Sequence, residues 1–291
     1  DRLGNEGVTF QLKQARALLS GRSWLITSGL DPVLGADLGP SDSPVSSGNR
    51  SPSQQAGGGG AALVPYRDPS ARFSRNVLIP TDFSQSTFQT EPSIAVDPKD
   101  PDHLLVGLID YNFPDMVTYS SIDGGATWEG PVQASFPRKD LAAAGDPIVA
   151  FDRNGNAFYA YISLDIEEFT VGPIASSAVV SAISVSRSTD GGLTWADPTQ
   201  SHRSTVRTST TPPGADGRPR GDIEFGFLDK PWMVIGPNPD DDSKDIIYVV
   251  YTKFVNSASI FWIDELPFLG APALETVIEL VRSEDGGVTW S

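Results

Sequence analysis

Six acidic residues stand in a repeated setting that could do chemistry. Glu91, Asp146 and Asp229 each lead a proline and an apolar run: Glu91-Pro-Ser-Ile-Ala-Val-Asp97, Asp146-Pro-Ile-Val-Ala-Phe-Asp152 and Asp229-Lys-Pro-Trp-Met-Val-Ile-Gly236. Asp123, Asp190 and Asp285 each precede a Gly-Gly pair. Carboxylates brought together in a ring can hold a cation or a cationic partner. A carboxylate in a tight turn instead accepts the turn's own backbone N–H groups. The second use is expected of the three Asp-Gly-Gly acids, and loop capping is the leading reading of the other three.

Other chemistries find less support. His103 and His202 are isolated and make no metal-ligand spacing. Asp152-Arg-Asn-Gly-Asn156 has the look of half a calcium loop, and Asp240-Asp-Asp-Ser-Lys-Asp245 is an acidic cluster. Calcium takes about six to eight oxygens, and turn chemistry accounts for both segments. No cofactor and no metal site is therefore expected, with Ca²⁺ the one ion these turns bring to mind. The absence of cysteine removes disulfides, thiolate zinc sites and thiol catalysis. A net charge of −16, from 21 Lys+Arg against 37 Asp+Glu, opposes nucleic-acid binding, which needs a basic footprint. No apolar run reaches the roughly 20 residues of a membrane helix.

The elements that must position these acids follow from a repeat. The phrases Ser121-Ile-Asp-Gly-Gly-Ala-Thr-Trp128, Ser188-Thr-Asp-Gly-Gly-Leu-Thr-Trp195 and Ser283-Glu-Asp-Gly-Gly-Val-Thr-Trp290 share six of eight positions. Asp-Gly-Gly is a hairpin signal, because glycine adopts positive φ without a clash. Thr suits the outgoing strand, and Trp offers a large apolar face for a neighbouring sheet. Ahead of each phrase come the proline-led strand, a polar turn, a second apolar strand, a variable connection and a third strand. With 28 Gly and 24 Pro in 291 residues, many short strands joined by turns are expected.

The three Ser-x-Asp-x-Gly-x-Thr-Trp copies resemble the Asp boxes, or BNR repeats, of the sialidase-like β-propellers. The key positions are Ser121, Asp123, Gly125 and Trp128; Ser188, Asp190, Gly192 and Trp195; Ser283, Asp285, Gly287 and Trp290. The resemblance covers about 88–291 and implies an all-β propeller of four-stranded antiparallel blades, of which about three are present. It places the boxes on one face. The starts of the innermost strands, hence Glu91, Asp146 and Asp229, fall on the opposite, ligand-binding face.

On that face the connections between the second and third strands lengthen. The distance from leading acid to box Asp is 32 residues (91 to 123), then 44 (146 to 190), then 56 (229 to 285). Phe169 to Val180 and Ile260 to Leu269 make these connections apolar, so they either bind or fold over one another. Tyr111, Phe261 and Trp262 join the three acids as ligand-face candidates.

Sialidase chemistry, as the resemblance implies it, needs an arginine triad for the substrate carboxylate, a Tyr–Glu nucleophile pair and an Asp acid/base. Family enzymes open on Phe/Tyr-Arg-Ile-Pro. Here Ser74-Arg-Asn-Val-Leu-Ile-Pro80 carries three extra residues between Arg and Ile-Pro, leaving Arg75 a degenerate candidate for the triad. Arg187 and Arg282 precede boxes on the wrong face. Arg203, Arg207, Arg218 and Arg220 fall in a connection over 196–228 expected to be irregular.

The chain divides into an N-terminal extension over 1–39 with an expected helix over 8–19, a Gly/Ser/Pro-rich linker over 40–74, and partial propeller blades over 75–291. The expected role is a non-catalytic, extracellular or cell-surface module that binds a glycan or a protein. Further chains, or the remainder of a longer polypeptide, are expected to complete the blades. An exo-α-sialidase and a structural subunit of a filament or surface layer are the alternatives.

Overall fold

The computed structural model describes residues 79, 89–111, 116–171, 174–218, 220–263 and 266–291. The helix expected over 8–19, the linker over 40–74 and Arg75 lie outside them. Every regular element among the described residues is a β-strand. The first sheet contains β1 (Gln89–Asp97), β2 (Asp100–Asp110), β3 (Met116–Ser121) and β4 (Glu129–Gln133), antiparallel and in chain order. The second repeats this with β5 (Ala142–Phe151), β6 (Ala157–Val171), β7 (Ile174–Ser188) and β8 (Thr199–Arg203). The third has β9 (Val206–Thr211), β10 (Arg220–Asn238), β11 (Asp241–Ile263) and β12 (Leu266–Leu269) in the order β12-β11-β10-β9, with β13 (Ala273–Ser283) also paired to β11. Antiparallel four-stranded sheets are thus stacked like blades, and β5 packs between β1 and β10.

Alternation of side chains explains the stacking. Leu105, Ile109, Tyr111 and Met116 of the first sheet meet Val149, Phe151, Tyr159 and Tyr161 of the second in one apolar cluster. Ile148, Phe158, Ile162 and Ile183 leave the other side of the second sheet to meet Met233, Ile247, Val249 and Tyr251 of the third. The second sheet therefore buries one set of side chains rearward and the intervening set forward. The approach is close: a Cβ on Gly107 would lie 2.7 Å from Tyr159.

Three boundaries differ from the sequence expectation. The connections over 169–180 and 260–269 are not loops. β6 and β7 stay paired from Ala157↔Ser188 to Val171↔Ile174, and β11 continues to Ile263 before β12 folds back on it. Runs rich in Val, Ile, Phe and Thr satisfy their backbone groups best by prolonging the hairpin. Nor is 196–228 irregular, since β8, β9 and the start of β10 occupy it. Asp229 consequently sits within β10 rather than at its head.

Candidate functional site

The three Gly-Gly turns are built alike. Thr127 donates to Asp123 through its backbone N–H at 2.8 Å and its hydroxyl at 2.6 Å, and Ser121 adds a third bond at 2.8 Å. Thr194 and Ser188 serve Asp190, and Thr289 and Ser283 serve Asp285, in the same way. Gly124, Gly125, Gly191, Gly192, Gly286 and Gly287 all have positive φ, as the turn requires. The Thr127 hydroxyl and N–H hold the Asp123 carboxyl down at about 2. Burial pushes Asp285 the other way, but its Thr289 and Ser283 donors prevail and hold it at about 2. Asp190 is lowered by the same balance. These acids are fully committed to their own turns.

The second and third turns also grip the sheet before them. Trp195 Nε1 donates to Thr118 Oγ1 of the first sheet at 3.0 Å, and Trp290 Nε1 to Thr199 Oγ1 of the second at 3.1 Å. Trp128 donates to Gly125 O of its own turn at 3.1 Å.

The leading acids occupy a different environment. At each of them the inner strand bulges, between Thr90 and Ser93, Gly145 and Ile148, and Asp229 and Trp232. The pre-proline residue there is left-handed: Glu91 at φ 54, Asp146 at φ 53 and Lys230 at φ 52. A non-glycine residue in this region costs about 1 kcal/mol or more, and a following proline disfavours it further. Bonds between sheets hold the conformation. Asp146 N–H donates to Glu91 Oε2 at 3.0 Å, and Lys230 N–H donates to Asp146 Oδ2 at 2.8 Å. Backbone capping is thus the use made of Glu91 and Asp146, though across sheets rather than within a loop.

Asp146 and Asp229 are only 2% and 5% exposed. Burial, then the charge of Asp229, raises the Asp146 carboxyl, and burial, then Glu91, raises that of Asp229. The two carboxyls lie against one another, while Asp229 Oδ1 meets no partner among the described residues.

Above these acids the prolonged strands form a satellite core. Phe169, Ala178, Val206, Ile223, Phe225, Ala258 and Leu269 pack together. Of the two sequence readings, folding over one another accounts for this half. The remaining half stays at the surface. Phe261 and Phe268 are exposed and stacked at 6.0 Å, Ile263 is exposed beside them, and Arg218 lies 5.9 Å over the Trp262 ring. Tyr111 is buried in the cluster between the first two sheets.

The arginines of this region are tied to acids. Arg203 bridges Asp140 and Asp165, Arg207 pairs with Glu224 at 3.4 Å, and Arg220 with Asp216 at 3.1 Å. Arg187 lies over Phe158 and Arg282 pairs with Glu284.

Two clusters escaped the sequence reading. Tyr251 donates to Glu279 at 2.9 Å, Lys253 donates to the same carboxylate at 3.0 Å, and His202 of the second sheet stacks on Tyr251 at 5.6 Å. Burial, reinforced by Glu279, pushes the Tyr251 phenol up. A phenol becomes nucleophilic through an adjacent base or a lowered pKa; Glu279 is such a neighbour, while burial acts the other way. Burial, with help from Lys253, lowers His202 against the pull of Glu279.

On the face of the repeated turns, a cavity of about 540 Å³ is lined by Asp97, His103, Ser120, Asp190 and Gly191. His103 Nδ1 lies 3.1 Å from Asp97 Oδ2 and its Nε2 lies 3.3 Å from Ser120 Oγ. Residue types and order suggest a hydrolytic triad, yet Ser120 donates its proton to Gly191 O at 3.0 Å. The group is a clasp between the first and second sheets. Within each cluster the members lie on two or three strands of one sheet, with Gly191 or His202 added from the second, and strand pairing rather than sequence spacing brings them together.

Asp152 accepts from Asn154 N, Asn156 N and Asn156 Nδ2, and Asp245 holds Arg153. The two calcium-like segments thus spend these acids on turns and on a link between sheets. Among the described residues no group of three acids or histidines converges as for a metal ion, and no helix is long and apolar enough to cross a membrane.

No family model and no curated protein matches the chain. Two solved structures are similar at low level. One is a protein of unknown function from Dyadobacter fermentans DSM 18053, 15% identical, with a TM-score of 0.30 over 72% of this chain and 69% of that one. The other is the Hadza microbial sialidase Hz136, 16% identical, with a TM-score of 0.32 over 71% of this chain and 46% of that one. The chain spans less than half the length of that sialidase.

Proposed function

We propose that this chain forms part of a sialidase-like Asp-box β-propeller that binds a glycan or a protein without catalysis, outside the cell or on its surface, within a larger assembly. The observation that carries the reading is the aromatic ribbon above the sheets, Phe261, Trp262 and Phe268 on β11 and β12. The long hairpin exposes Phe261 and Phe268 and leaves Trp262 half-buried beneath Arg218, and stacked rings give contact area at small entropic cost. Carboxylates already neutralise Arg203, Arg207 and Arg220, which leaves them poor members of an arginine clamp.

The test is a glycan array probed with the chain, alongside capture by a photo-cross-linking amino acid at Phe268. Binding by either route that is lost in Phe261→Ser/Phe268→Ser supports the proposal. Hydrolysis of a fluorogenic sialoside that disappears in Arg75→Ala contradicts it.

A further inference from the structure

The chain has two histidines, His103 and His202, and each stands at a contact between neighbouring sheets. His202 of the second sheet stacks on Tyr251 of the third with its side chain 36% exposed, and its Nε2 lies 3.7 Å from Glu279 Oε2, beyond hydrogen-bond reach. His103 of the first sheet is buried, edge-on to Phe151 of the second, and both of its ring nitrogens meet oxygen.

Those oxygens fix where the hydrogens must be. Nδ1 lies 3.1 Å from Asp97 Oδ2. Nε2 lies 3.1 Å from Gly191 O and 3.3 Å from Ser120 Oγ, while Ser120 Oγ is 3.0 Å from the same Gly191 O. A carbonyl oxygen only accepts, and a neutral imidazole carries hydrogen on one nitrogen. If Nδ1 carries it, the bare Nε2 faces the Gly191 carbonyl lone pair to lone pair, and the single Ser120 hydroxyl proton cannot serve both. If Nε2 carries it, the bare Nδ1 faces the Asp97 carboxylate. Every contact pairs a donor with an acceptor only when Asp97 and His103 together hold two protons. Asp97 Oδ1 accepts the Lys99 N–H at 2.8 Å, which favours the carboxylate and leaves both protons on the ring.

The charged groups around the ring come from both sheets. The first sheet and its turns supply Asp97, Lys99, Asp100 and Glu129 to the cavity beside it, and the second supplies Asp190. The Lys99 ammonium reaches away to Asn154 O at 3.4 Å. Asp190 is held by Thr194 and Ser188, and Asp152 by its own turn. Both turns of the second sheet approach through glycine. A Cβ on Gly155 would lie 2.9 Å from Asp97 Oδ2, and one on Gly191 would lie 2.7 Å from the His103 ring.

We infer that His103 is a proton-operated latch between the first and second sheets, closed with hydrogen on both ring nitrogens and released when the Nε2 proton leaves. On release, Ser120 turns its hydroxyl from Gly191 O to the bare Nε2, and Gly191 O loses both of these donors. Two lone pairs then face each other across a contact of 3.1 Å, which parts the turn over 188–195 from the first sheet. The bond from Trp195 Nε1 to Thr118 Oγ1 involves no titrating group and stays as the hinge. The latch therefore opens as pH rises and closes as it falls.

NMR on the full chain with isotope-labelled histidine rings tests this, and His202→Gln assigns the two rings. Wherever the turn over 188–195 is protected from amide exchange, His103 is expected to show hydrogen on both ring nitrogens. As pH is raised, loss of its second proton should coincide with a drop of about tenfold or more in the protection factors of that turn, which exclude the base catalysis of exchange itself. His103→Gln, whose side-chain amide donates to Gly191 O with no proton to lose, should hold its protection level throughout. A bare nitrogen on His103 while the turn is protected overturns the latch, as does loss of the second proton with protection unchanged. An equal fall in protection in His103→Gln overturns it too. Circular dichroism establishes that this variant folds, and the titration of the unsubstituted chain decides the matter if it does not.

Discussion

The acids of the Gly-Gly turns and the acids ahead of the prolines are the same chemical group put to opposite use. Asp123, Asp190 and Asp285 sit at the surface among Ser, Thr and backbone donors, and are held as carboxylates down to low pH. Asp146 and Asp229 are buried against each other and are raised. Burial decides the difference: Asp123 lies at the surface with three bonds converging on it, whereas Asp146 and Asp229 are buried and one oxygen of Asp229 has no partner among the described residues. An acidic composition alone therefore says little about an acidic binding surface. Here the negative charge is spent partly on turns and partly on a buried seam between sheets.

That contrast can be broken at several points. On the side of the repeated turns, Trp195→Ala removes a ring packed against the first sheet together with its bond to Thr118. It is expected to cost about 3 kcal/mol in urea unfolding. Trp128→Ala, whose indole bonds within its own turn, should cost measurably less. Equal losses would mean that the turns do not grip their neighbours. Asp190→Ala strips the acceptor from Thr194 and Ser188 and is expected to cost about 1–2 kcal/mol.

The inner acids respond to pH with the other sign. Their carboxyls are raised in the fold, so the stability they contribute is full below their unfolded value and is lost as pH rises through the raised one. The turn acids are lowered, so theirs is present at neutral pH and lost as pH falls toward about 2. Asp146→Asn should flatten the decline in unfolding free energy as pH rises above the ordinary carboxylate range, whereas Asp190→Asn should leave that slope in place. A slope unchanged by Asp146→Asn would detach the buried pair from the pH response. The smallest effect is expected at the aromatic ribbon: Phe261→Ser/Phe268→Ser should change stability by under about 0.5 kcal/mol per site while removing ligand binding.

Much of the fold was legible because the repeat is dense in turn chemistry. Asp-Gly-Gly admits few conformations, and a Trp after it has few places to go except a neighbouring sheet. Strand type and antiparallel order followed from those phrases. The ends of the strands were not legible, because 169–180 and 260–269 read equally well as apolar loops or as prolonged hairpins, and only pairing between β6 and β7 or between β11 and β12 decides. The acids ahead of the prolines were visible as a set. Their bonds to the next sheet were not, since each donor lies a whole repeat away. The same distance hid the contact of His103 to Gly191, while Asp97 and Ser120 reach it only through strand pairing within the first sheet.

Carboxyl carbon resonances followed by NMR through an acid titration test the central contrast most directly. Asp123 and Asp285 should titrate near about 2, and Asp146 and Asp229 above the ordinary value of 3.8. If Asp146 and Asp229 titrate together with the turn acids, the buried seam between the sheets does not exist as described.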